Sequence, residues 1–525
     1  MRTKRSRRVG RVLAVLMLAL IAGALVLVGC TSLPSLQGRS VSHRLSAEQA
    51  QATALGHAVQ PLVTAHPGLT GLHPLENPLA AFAGRVLLVR HADRSIDAQY
   101  YIWQNDTTGT VLLAELERAA RRGVRVRLLV DDNGIGGLDA TLAVLSAQPN
   151  FEVRLFNPFT YRHPKWANYI TAFSRLNHRM HNKSFTVDNE ATIIGGRNIG
   201  DNYFAATGGI AFADLDVLAI GPAVDQVSAD FDLYWASPLA YPIERIVGTP
   251  PAGALADFHA REHRLGDAPA AGTYRQALAA SRDVQDLYDG TAALTWASTQ
   301  MFSDRPTKAL GKSGKGERMF DDLAPVFAAT TSSLELVSPY LVPGAKGTRD
   351  LVAMARRGVD VRVLTNSLAA TDVAAVHAGY AKRRKQMLAA GITLYELPRT
   401  ASQPNERKLA GPFGSSGSSL HAKTFAVDGE RVFIGSFNFD LRSADLNTEM
   451  GFLIESPALA QAMHAAFKYD IPLRAYQVRL DANGQLYWLR QHDGKPHRYD
   501  REPDTTWLRR MTVRILRPLP IDWLL

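Results

Sequence analysis

The sequence predicts an α/β protein in which one structural unit occurs twice in the same chain. Strand-like and helical segments alternate, which is typical of layered α/β domains. Matching landmarks then recur at a near-constant offset: Gly123 and Gly358 are 235 residues apart, and His181 and His421 are 240 residues apart. A constant offset indicates a repeated unit. We therefore expect two similar α/β/α sandwich domains in a pseudo-twofold, bilobal arrangement.

The repeated unit reads as strand, helix, glycine and strand. An apolar strand-like run is followed by apolar residues at helical spacing. The sequence Arg-Arg-Gly-Val then ends the helix and begins an alternating strand. In the first half these segments are 95–103, 111–120 and 121–130, and in the second half they are 333–340, 351–355 and 356–364.

The boundaries follow from composition. Pro- and Gly-rich stretches at 249–253 and 266–272 are typical of turns and linkers. We predict a signal or anchor segment over 1–30, a lead-in over 31–70, a first domain over 71–245, a linker and crossover over 246–320, a second domain over 321–475 and a C-terminal extension over 476–525.

Composition and charge fit a folded enzyme. Apolar residues make up 46% and charged residues 21% of the 525 residues, as in globular proteins. The formal net charge is +10, and six cationic residues lie before residue 30, which leaves a mildly basic remainder of +4. That charge suits anionic lipid as well as nucleic acid, and we expect no nucleic-acid partner.

The N-terminus has the features of a targeting segment. A cationic stretch (2–11) leads into an apolar run (12–28) that ends at Cys30, the only cysteine of the chain. The ending resembles a bacterial lipobox, which implies lipidation of Cys30; an uncleaved signal anchor is the alternative. Both predict a membrane-attached protein of a bacterial cell envelope, with its enzyme domains in the periplasm. One cysteine excludes a disulfide framework within the chain.

Two motifs of identical spacing carry the candidate chemistry. Each has His, one residue, Lys, four residues, Asp, six residues, Gly, two residues and Asn. The first comprises His181, Lys183, Asp188, Gly195 and Asn198, and the second comprises His421, Lys423, Asp428, Gly435 and Asn438. Residues two apart on a strand share a face, and the turn dipeptides at 188–189 and 428–429 predict hairpins.

Each motif thus gathers an imidazole, an ammonium and a carboxamide around one point. Reaction at a phosphodiester needs a nucleophile, a proton donor and neutralisation of the phosphate oxygens. Two half-sites meeting at an interface would supply all three. The alternative, a plain hairpin with surface polar groups, fits one copy better than two copies of identical spacing.

The motifs resemble the HxKxxxxD motifs of the phospholipase D superfamily. The sequences of residues 180–185, 195–201 and 520–525 are similar to those of bacterial cardiolipin synthases of the C-type. The resemblance implies two phospholipase D-like domains and phosphatidyl transfer through a phosphohistidine, with no metal or other cofactor. It also implies membrane phospholipids as partners: phosphatidylglycerol, phosphatidylethanolamine and cardiolipin. Whether an accessory protein takes part stays open.

The resemblance also implies roles for individual residues. His181 would attack phosphorus, and His421 would act as acid and base. The motif lysines and asparagines would bind phosphate oxygens, with Gly195, Gly435 and Ser436 beside them. The motif aspartates, Asp188 and Asp428, look more structural than catalytic in the family. Later carboxylates would orient the histidines: Glu449, and in the first half Asp216, with Asp214 as a rival.

Several alternatives remain at this stage. Water as acceptor would make the protein a hydrolase that releases phosphatidic acid, and a nuclease or a non-enzymatic lipid-binding protein is less favoured. The H-x-x-E-H pattern at 259–263 is interpreted as a solvated helix face, without a metal. Residues 131–134 are predicted to form a turn. The basic stretch 382–385 is either a head-group site or a solvated face, and residues 507–511 suit either a membrane interface or core packing.

Overall fold

The computed structural model describes residues 33–204, 214–266, 269–314, 316–399, 420–492 and 494–525. Cys30, the apolar run before it and the serine-rich sequence at 415–419 lie outside the described residues. In the part that is described, every helix is too short or too polar to cross a bilayer.

The first half begins with the helices α1 (Ala47–Gln51) and α2 (Ala54–Ala65). Its strands are β1 (Thr70–Leu75), β2 (Ser95–Ile102), β3 (Arg125–Gly134), β4 (Phe151–Phe156), β5 (Ser184–Val187), β6 (Ala191–Gly195), β7 (Asp216–Ile220) and β8 (Ala240–Pro242). Its further helices are α3 (Pro78–His91), α4 (Thr107–Arg121), α5 (Asp139–Ser146), α6 (Asn168–Leu176), α7 (Asp201–Phe204) and α8 (Pro222–Trp235).

The crossover contains α9 (Glu244–Val247), α10 (Ala254–Gly266), α11 (Pro269–Ala280), α12 (Asp283–Tyr288) and β9 (Thr295–Ser303). The second half has the helices α13 (Met319–Ala328), α14 (Gly344–Arg356), α15 (Ala374–Ala389), α16 (Leu441–Asp445), α17 (Pro457–Ala465), α18 (Ile471–Arg474) and α19 (Trp507–Leu516). Its strands are β10 (Ser333–Val337), β11 (Leu341–Val342), β12 (Asp360–Asn366), β13 (Thr393–Leu397), β14 (Thr424–Val427), β15 (Arg431–Gly435), β16 (Phe439–Asp440), β17 (Met450–Glu455), β18 (Tyr476–Leu480), β19 (Leu486–His492) and β20 (Lys495–Tyr499).

Each half contains one mixed sheet of the same topology. The first sheet runs β1–β7–β6–β5–β2–β3–β4–β8, with β2, β3 and β4 parallel. The second runs β17–β15–β14–β10–β12–β13–β18, with β10, β12 and β13 parallel, and then adds β19 and β20. The predicted repeat of α/β units is confirmed at the level of strand order.

The two sheets are joined by one strand. β9 pairs through residues 295–297 with β1 and through residues 298–303 with β17, so that it borders both sheets. Buried apolar residues from both halves pack beneath this junction, among them Leu72, Val217, Val432 and Phe452. Burial of each such side chain stabilises the fold by roughly 1.5–3 kcal/mol.

The hairpins after the two histidines form as predicted. β5 pairs antiparallel with β6, and β14 with β15. The two-residue turns have positive φ at both positions: 53° and 57° at Asp188 and Asn189, and 57° and 67° at Asp428 and Gly429. Asp, Asn and Gly tolerate this conformation, which matches the twist of the strands.

The linker is more regular than its composition suggests. Helices α10 and α11 pack on the first domain, where Phe258 and Tyr274 are buried, and Arg118 of α4 forms a 2.7 Å ion pair with Glu262. Apolar burial therefore outweighs the turn-rich composition at the ends of these helices.

Candidate active site at the interface of the two halves

The two motif histidines meet in one cavity between the halves. Each lies just before a central strand, His181 before β5 and His421 before β14. Both line a cavity of about 30 Å³ together with Lys423, Asn438 and Tyr101, among others. The structure therefore brings residues of the two half-motifs together in one cavity.

Each histidine is held by a carboxylate from the opposite half. His181 Nδ1 lies 2.8 Å from Glu449 Oε2, and His421 Nδ1 lies 2.6 Å from Asp214 Oδ2. Both carboxylates are buried. An ionised carboxylate accepts the Nδ1–H of its imidazole, which fixes the tautomer and leaves the Nε2 lone pair available for chemistry.

The expectation for Asp216 is wrong, and Asp214 takes the place next to a histidine. Asp216 lies in β7 and binds Arg85 Nη2 at 2.8 Å and the backbone N–H of Arg197 at 3.1 Å. Side chains two residues apart in a strand lie on the same face. Asp214 lies before the start of β7, and its side chain extends across the interface to His421. Close approach also requires Gly196, because a Cβ there would lie 2.1 Å from Asp214 Oδ1.

A signal in the sequence could have identified Asp214. It precedes Glu449 by 235 residues, the same offset that separates Gly123 and Gly358. Asp216 precedes Glu449 by 233 residues, which lies outside the offsets of 235 and 240 residues between the other repeated landmarks.

Hydroxyl groups orient Glu449. Ser436 Oγ donates to its Oε2 at 2.5 Å, and Ser443 Oγ donates to its Oε1 at 2.7 Å. Burial raises the pKa of Glu449 to about 7, although Lys183 and these hydroxyls counteract the effect. Ser436, expected near the phosphate, therefore positions the carboxylate that holds His181.

The two motif lysines place positive charge beside the histidines. Lys183 Nζ donates to His181 O at 2.6 Å, and Lys423 Nζ contacts both His421 O and His421 Nδ1. Burial lowers the pKa of Lys423 to about 8 and that of Lys183 well below its ordinary value. An anionic phosphodiester would raise both values, since an opposite charge favours the ammonium form.

Both imidazoles favour the neutral form. Burial and the charge of Lys183 lower the pKa of His181 well below its usual value. Burial and Lys423 also lower the pKa of His421. Burial alone would raise the pKa of Asp214, but His421 and Lys423 reverse this and keep the carboxylate ionised. A neutral imidazole is the nucleophilic form.

The two motif asparagines differ in their surroundings. Asn438 lines the cavity, and its amide oxygen has no hydrogen-bond partner within the described residues. Asn198 instead accepts from the backbone N–H of Ile102 at 3.1 Å and donates to the Tyr203 hydroxyl at 3.1 Å. The expected phosphate contact therefore fits Asn438, whereas Asn198 braces strand β2.

Gly195 and Gly435 allow strands to approach closely, and neither belongs to the cavity wall. A Cβ on Gly195 would lie 2.3 Å from Asp216 Oδ1, and one on Gly435 would lie 2.4 Å from Met450 O. The expectation that both glycines lie beside the phosphate is therefore corrected. They instead allow close packing against β7 and β17.

The motif aspartates lie at the turn end of each hairpin and bind backbone amides. Asp188 accepts from the N–H groups of residues 93–95, and Asp428 accepts from those of residues 331–333. Both carboxylates tie the hairpin to the start of the neighbouring central strand. Neither lines the cavity.

Residues not singled out from the sequence complete the cavity wall. Tyr101, at the end of β2, stands edge-on to His181 with ring centroids 5.0 Å apart. Arg442 lines the wall and donates to the side chain and backbone oxygens of Asn177 at 2.9 and 2.8 Å. Tyr340, also from the second half, lines the same cavity. None of these belongs to a spaced motif.

The predicted turn at 131–134 is wrong, since β3 continues to Gly134. Asp131 lies in this strand and accepts from Arg179 Nη1 at 2.8 Å and from the backbone N–H of Met180 at 2.8 Å. Burial raises the pKa of Asp131, with Arg179 opposing. Asp131 thus holds the residues that lead into His181.

The basic stretch at 382–385 is mostly engaged by the C-terminal extension. Arg384 pairs with Glu396 at 2.8 Å and Glu502 at 2.6 Å, and Lys382 pairs with Asp522 at 3.2 Å. These ion pairs engage Arg384 and Lys382, whereas Lys385 is exposed. On α10, His259 lies 3.7 Å from Glu117 as part of an exposed helix face.

Comparisons with known proteins agree with this architecture. A family model described as cardiolipin synthase, phospholipase D-like domain, matches residues 87–235 and 323–471, one match in each half. Cardiolipin synthase C of Escherichia coli is 47% identical over 474 residues, which are 90% of this chain and 99% of that protein. A cardiolipin synthase of Staphylococcus aureus is 23% identical over 407 residues, 77% of this chain and 68% of that protein.

A solved structure has a similar fold. The phosphatidylserine synthase of Haemophilus influenzae superposes with a TM-score of 0.52 at 14% identity, covering 80% of this chain and 91% of that chain. At this identity the likeness concerns the fold alone.

Proposed function

Because this chain belongs to the phospholipase D-like cardiolipin synthase family, we propose that it makes cardiolipin by moving a phosphatidyl group from a donor phospholipid to an alcohol on a second lipid. It is an enzyme of the phospholipase D superfamily with two phospholipase D-like domains. Phosphatidylglycerol is the proposed acceptor, and phosphatidylglycerol or phosphatidylethanolamine is the proposed donor.

One observation carries the proposal: two neutral imidazoles face one cavity, and each is held at Nδ1 by a buried carboxylate of the opposite half. This arrangement provides one nucleophile and one proton carrier on either side of a phosphorus atom. The lysines beside them supply the positive charge that a phosphodiester needs.

In the first step, Nε2 of His181 attacks phosphorus and a P–N bond forms. The P–O bond to the donor's head-group alcohol breaks, and His421 gives its Nε2 proton to the departing oxygen. His421 acquires that proton once the anionic phosphodiester binds, because the negative charge raises the pKa of the nearby imidazole.

In the second step, Nε2 of His421 takes the proton from the acceptor hydroxyl. The acceptor oxygen attacks phosphorus, and the P–N bond to His181 breaks. The products are a new phosphodiester and the original neutral His181. Lys423 and Asn438 line the same cavity, so they are the proposed ligands of the phosphate oxygens, with Lys183 next to His181.

We place the protein at a bacterial membrane, where its substrates are found. The lipobox-like ending at Cys30 supports a lipid anchor with periplasmic enzyme domains. Mass spectrometry of the lipidated N-terminal peptide after proteolysis of the native protein tests this. An intact chain that starts at Met1 would favour the signal-anchor alternative.

A lipid-product assay tests the function. Full-length protein in detergent receives phosphatidylglycerol, alone and with phosphatidylethanolamine, and the products are identified by mass spectrometry. We expect cardiolipin as the main product. Phosphatidic acid alone would make water the acceptor and the protein a hydrolase. If neither cardiolipin nor phosphatidic acid forms, the proposed phosphatidyl chemistry is contradicted altogether.

A matched set of variants tests the roles of the histidines. His181→Ala and His421→Ala should each lower turnover by about 10³-fold or more, because both steps need both groups. His464→Ala is the control: His464 Nδ1 also binds a buried carboxylate, Glu335 at 2.6 Å, but lies outside the cavity. Substantial activity in either active-site variant would contradict the shared site.

A further inference from the structure

Helix α19 of the C-terminal extension exposes a row of large apolar side chains. Trp507, Leu508 and Ile515 have exposed fractions of 67%, 68% and 63%. Positions one, seven and eight residues apart in this way lie on one side of a helix. Isolated exposed apolar residues are ordinary, but a contiguous row on one helix side marks an interaction surface.

The opposite side of the same helix already packs on the protein. Val513 is buried and Leu516 is partly buried against Leu368 and Ala378, and Arg509 donates to Thr371 O. The helix is therefore apolar on two sides, of which one is covered. The exposed row is not needed to hold α19 to the second domain.

A basic flank runs between these two sides. Arg510, Arg514 and Arg517 follow at spacings of four and three residues and line a groove of about 470 Å³, together with Lys385 and Arg501. Arg514 and Arg517 are exposed. Acidic groups in this groove are Asp500 and Glu502, and Glu502 is already paired with Arg384. The flank therefore keeps a net positive charge.

The chain leads from the apolar row to the wall of the active-site cavity. Beyond α19, Leu519 and Trp523 are 42% and 56% exposed. The following residues contact the cavity wall: Leu525 O accepts from the backbone N–H of Arg442 at 2.8 Å, and Leu524 O lies 3.4 Å from its Nη1.

A second exposed apolar group flanks Arg442 from the first half. Asn177, which binds Arg442, closes the last turn of α6. On this segment Trp166, Ile170 and Phe173 have exposed fractions of 64%, 73% and 40%. Exposed apolar side chains thus lie on the first-half segment that binds Arg442, as well as on the C-terminal tail.

From this arrangement we infer that α19 and the tail to Trp523 form a docking surface for an anionic lipid bilayer. The inference rests on the proposed function, since it explains how a lipid head group reaches the cavity. Tryptophan and aliphatic side chains partition into the head-group region, and each arginine near an anionic surface adds roughly 1 kcal/mol. Charge complementarity favours anionic lipid over a neutral partner.

The test compares bilayer and monomeric substrate with full-length protein. The variant Trp507→Ser/Leu508→Ser/Ile515→Ser should lower turnover on phosphatidylglycerol–phosphatidylethanolamine vesicles by about tenfold. Turnover of dihexanoyl-phosphatidylglycerol below its micelle concentration should stay within about twofold, because the surface acts on docking alone. Equal losses on both substrates, or no loss on vesicles, would overturn the inference.

Matched controls use exposed apolar positions elsewhere. Val41 and Leu233 are 81% and 45% exposed and lie beside Arg44 and Asp232 of the first half, so Val41→Ser/Leu233→Ser should leave both rates unchanged. The double variant Arg514→Glu/Arg517→Glu should also lose vesicle turnover, most strongly at low salt. If it does not, the anionic bilayer is the wrong occupant.

A direct readout separates this inference from the proposed function. Bromine-labelled lipids in the vesicles should quench fluorescence of the native protein, and Trp507→Phe/Trp523→Phe should lose most of that quenching. Trp296→Phe, whose ring stacks on His66, should lose little. This result holds even if no cardiolipin forms. If instead the triple serine variant only converts a dimer to a monomer in sedimentation, the surface binds a second copy and the inference fails.

Discussion

Replacement of Asp214 by asparagine distinguishes the observed site from the one that motif spacing suggests. Asp214 Oδ2 lies 2.6 Å from His421 Nδ1 in a fully buried setting. Asparagine keeps the shape but loses the charge, and its amide can donate to Nδ1, which would place the imidazole proton on Nε2. His421 could then no longer take a proton from the acceptor.

The size of the effect follows from the geometry. A buried hydrogen bond to a charged group stabilises by about 1.5–3 kcal/mol, which corresponds to about 10- to 150-fold in rate. A wrong tautomer in a comparable carboxylate–histidine pair costs about 10⁴-fold. We therefore expect Asp214→Asn to lower kcat by about 10²- to 10⁴-fold, with little change in KM.

Asp216→Asn is the matched control two residues away. Asp216 pairs with buried Arg85 at 2.8 Å and lies 3.4 Å from Arg197, so its loss leaves buried cations uncompensated. We expect a stability loss of about 3–5 kcal/mol and, for the folded fraction, a much smaller change in kcat.

Initial rates of cardiolipin formation and thermal unfolding of the same preparations provide the two readouts. The reasoning fails if Asp216→Asn lowers kcat as far as Asp214→Asn while its melting temperature stays at the native value. It also fails if Asp214→Asn retains native kcat.

Three further outcomes follow from burial. The pKa of Glu449 is raised to about 7, so its carboxylate forms as pH rises through that value. We therefore expect kcat/KM to rise between about pH 6 and 8, and we expect Glu449→Gln to remove this limb from the pH–rate profile. Burial raises the pKa of Asp230 to about 7, so the folded state loses stability as pH rises from about 4 to 7. Asp230→Asn should raise the free energy of unfolding, measured with denaturant, by about 1–3 kcal/mol at pH 8 and by little at pH 4. Arg384→Leu should lower the free energy of unfolding by about 3–5 kcal/mol, because Glu396 and Glu502 lose their cation. Limited proteolysis of this variant should cut the C-terminal extension first. The control Lys382→Leu, at a half-exposed position, should behave like the native protein.

The repeat made the architecture predictable from the sequence. An offset that stays nearly constant from Gly123 and Gly358 to the two histidines implies the same strand order in both halves, because a unit of one length and pattern buries its apolar faces in one way. The hairpin turns were also predictable, since Asp188-Asn189 and Asp428-Gly429 are residue pairs that accept positive φ.

The contacts between the halves were not predictable in the same way. Spacing along one strand says which residues share a face, but it does not say which carboxylate of the other half reaches a histidine. Asn198 and Asn438 have the same motif position, yet only Asn438 lines the cavity, because Tyr203 engages Asn198. Such differences arise from neighbours that the repeat does not share. The linker helices were missed because their burial depends on a surface of the first domain.

The exchange of carboxylates between the halves makes the site a property of their interface. Glu449 would be a buried acid without its imidazole if the first half were absent, and Asp214 would lose His421 if the second half moved away. An unpaired buried carboxylate costs several kcal/mol, so the same contacts that orient the histidines also oppose separation of the halves. Backbone hydrogen bonds add to this link, since His181 N donates to Thr448 O at 2.9 Å and Thr448 N donates to Arg179 O at 2.9 Å. Orientation of the histidines and docking of the halves are therefore one equilibrium, and a substitution that loosens the interface should reduce activity before it unfolds either half.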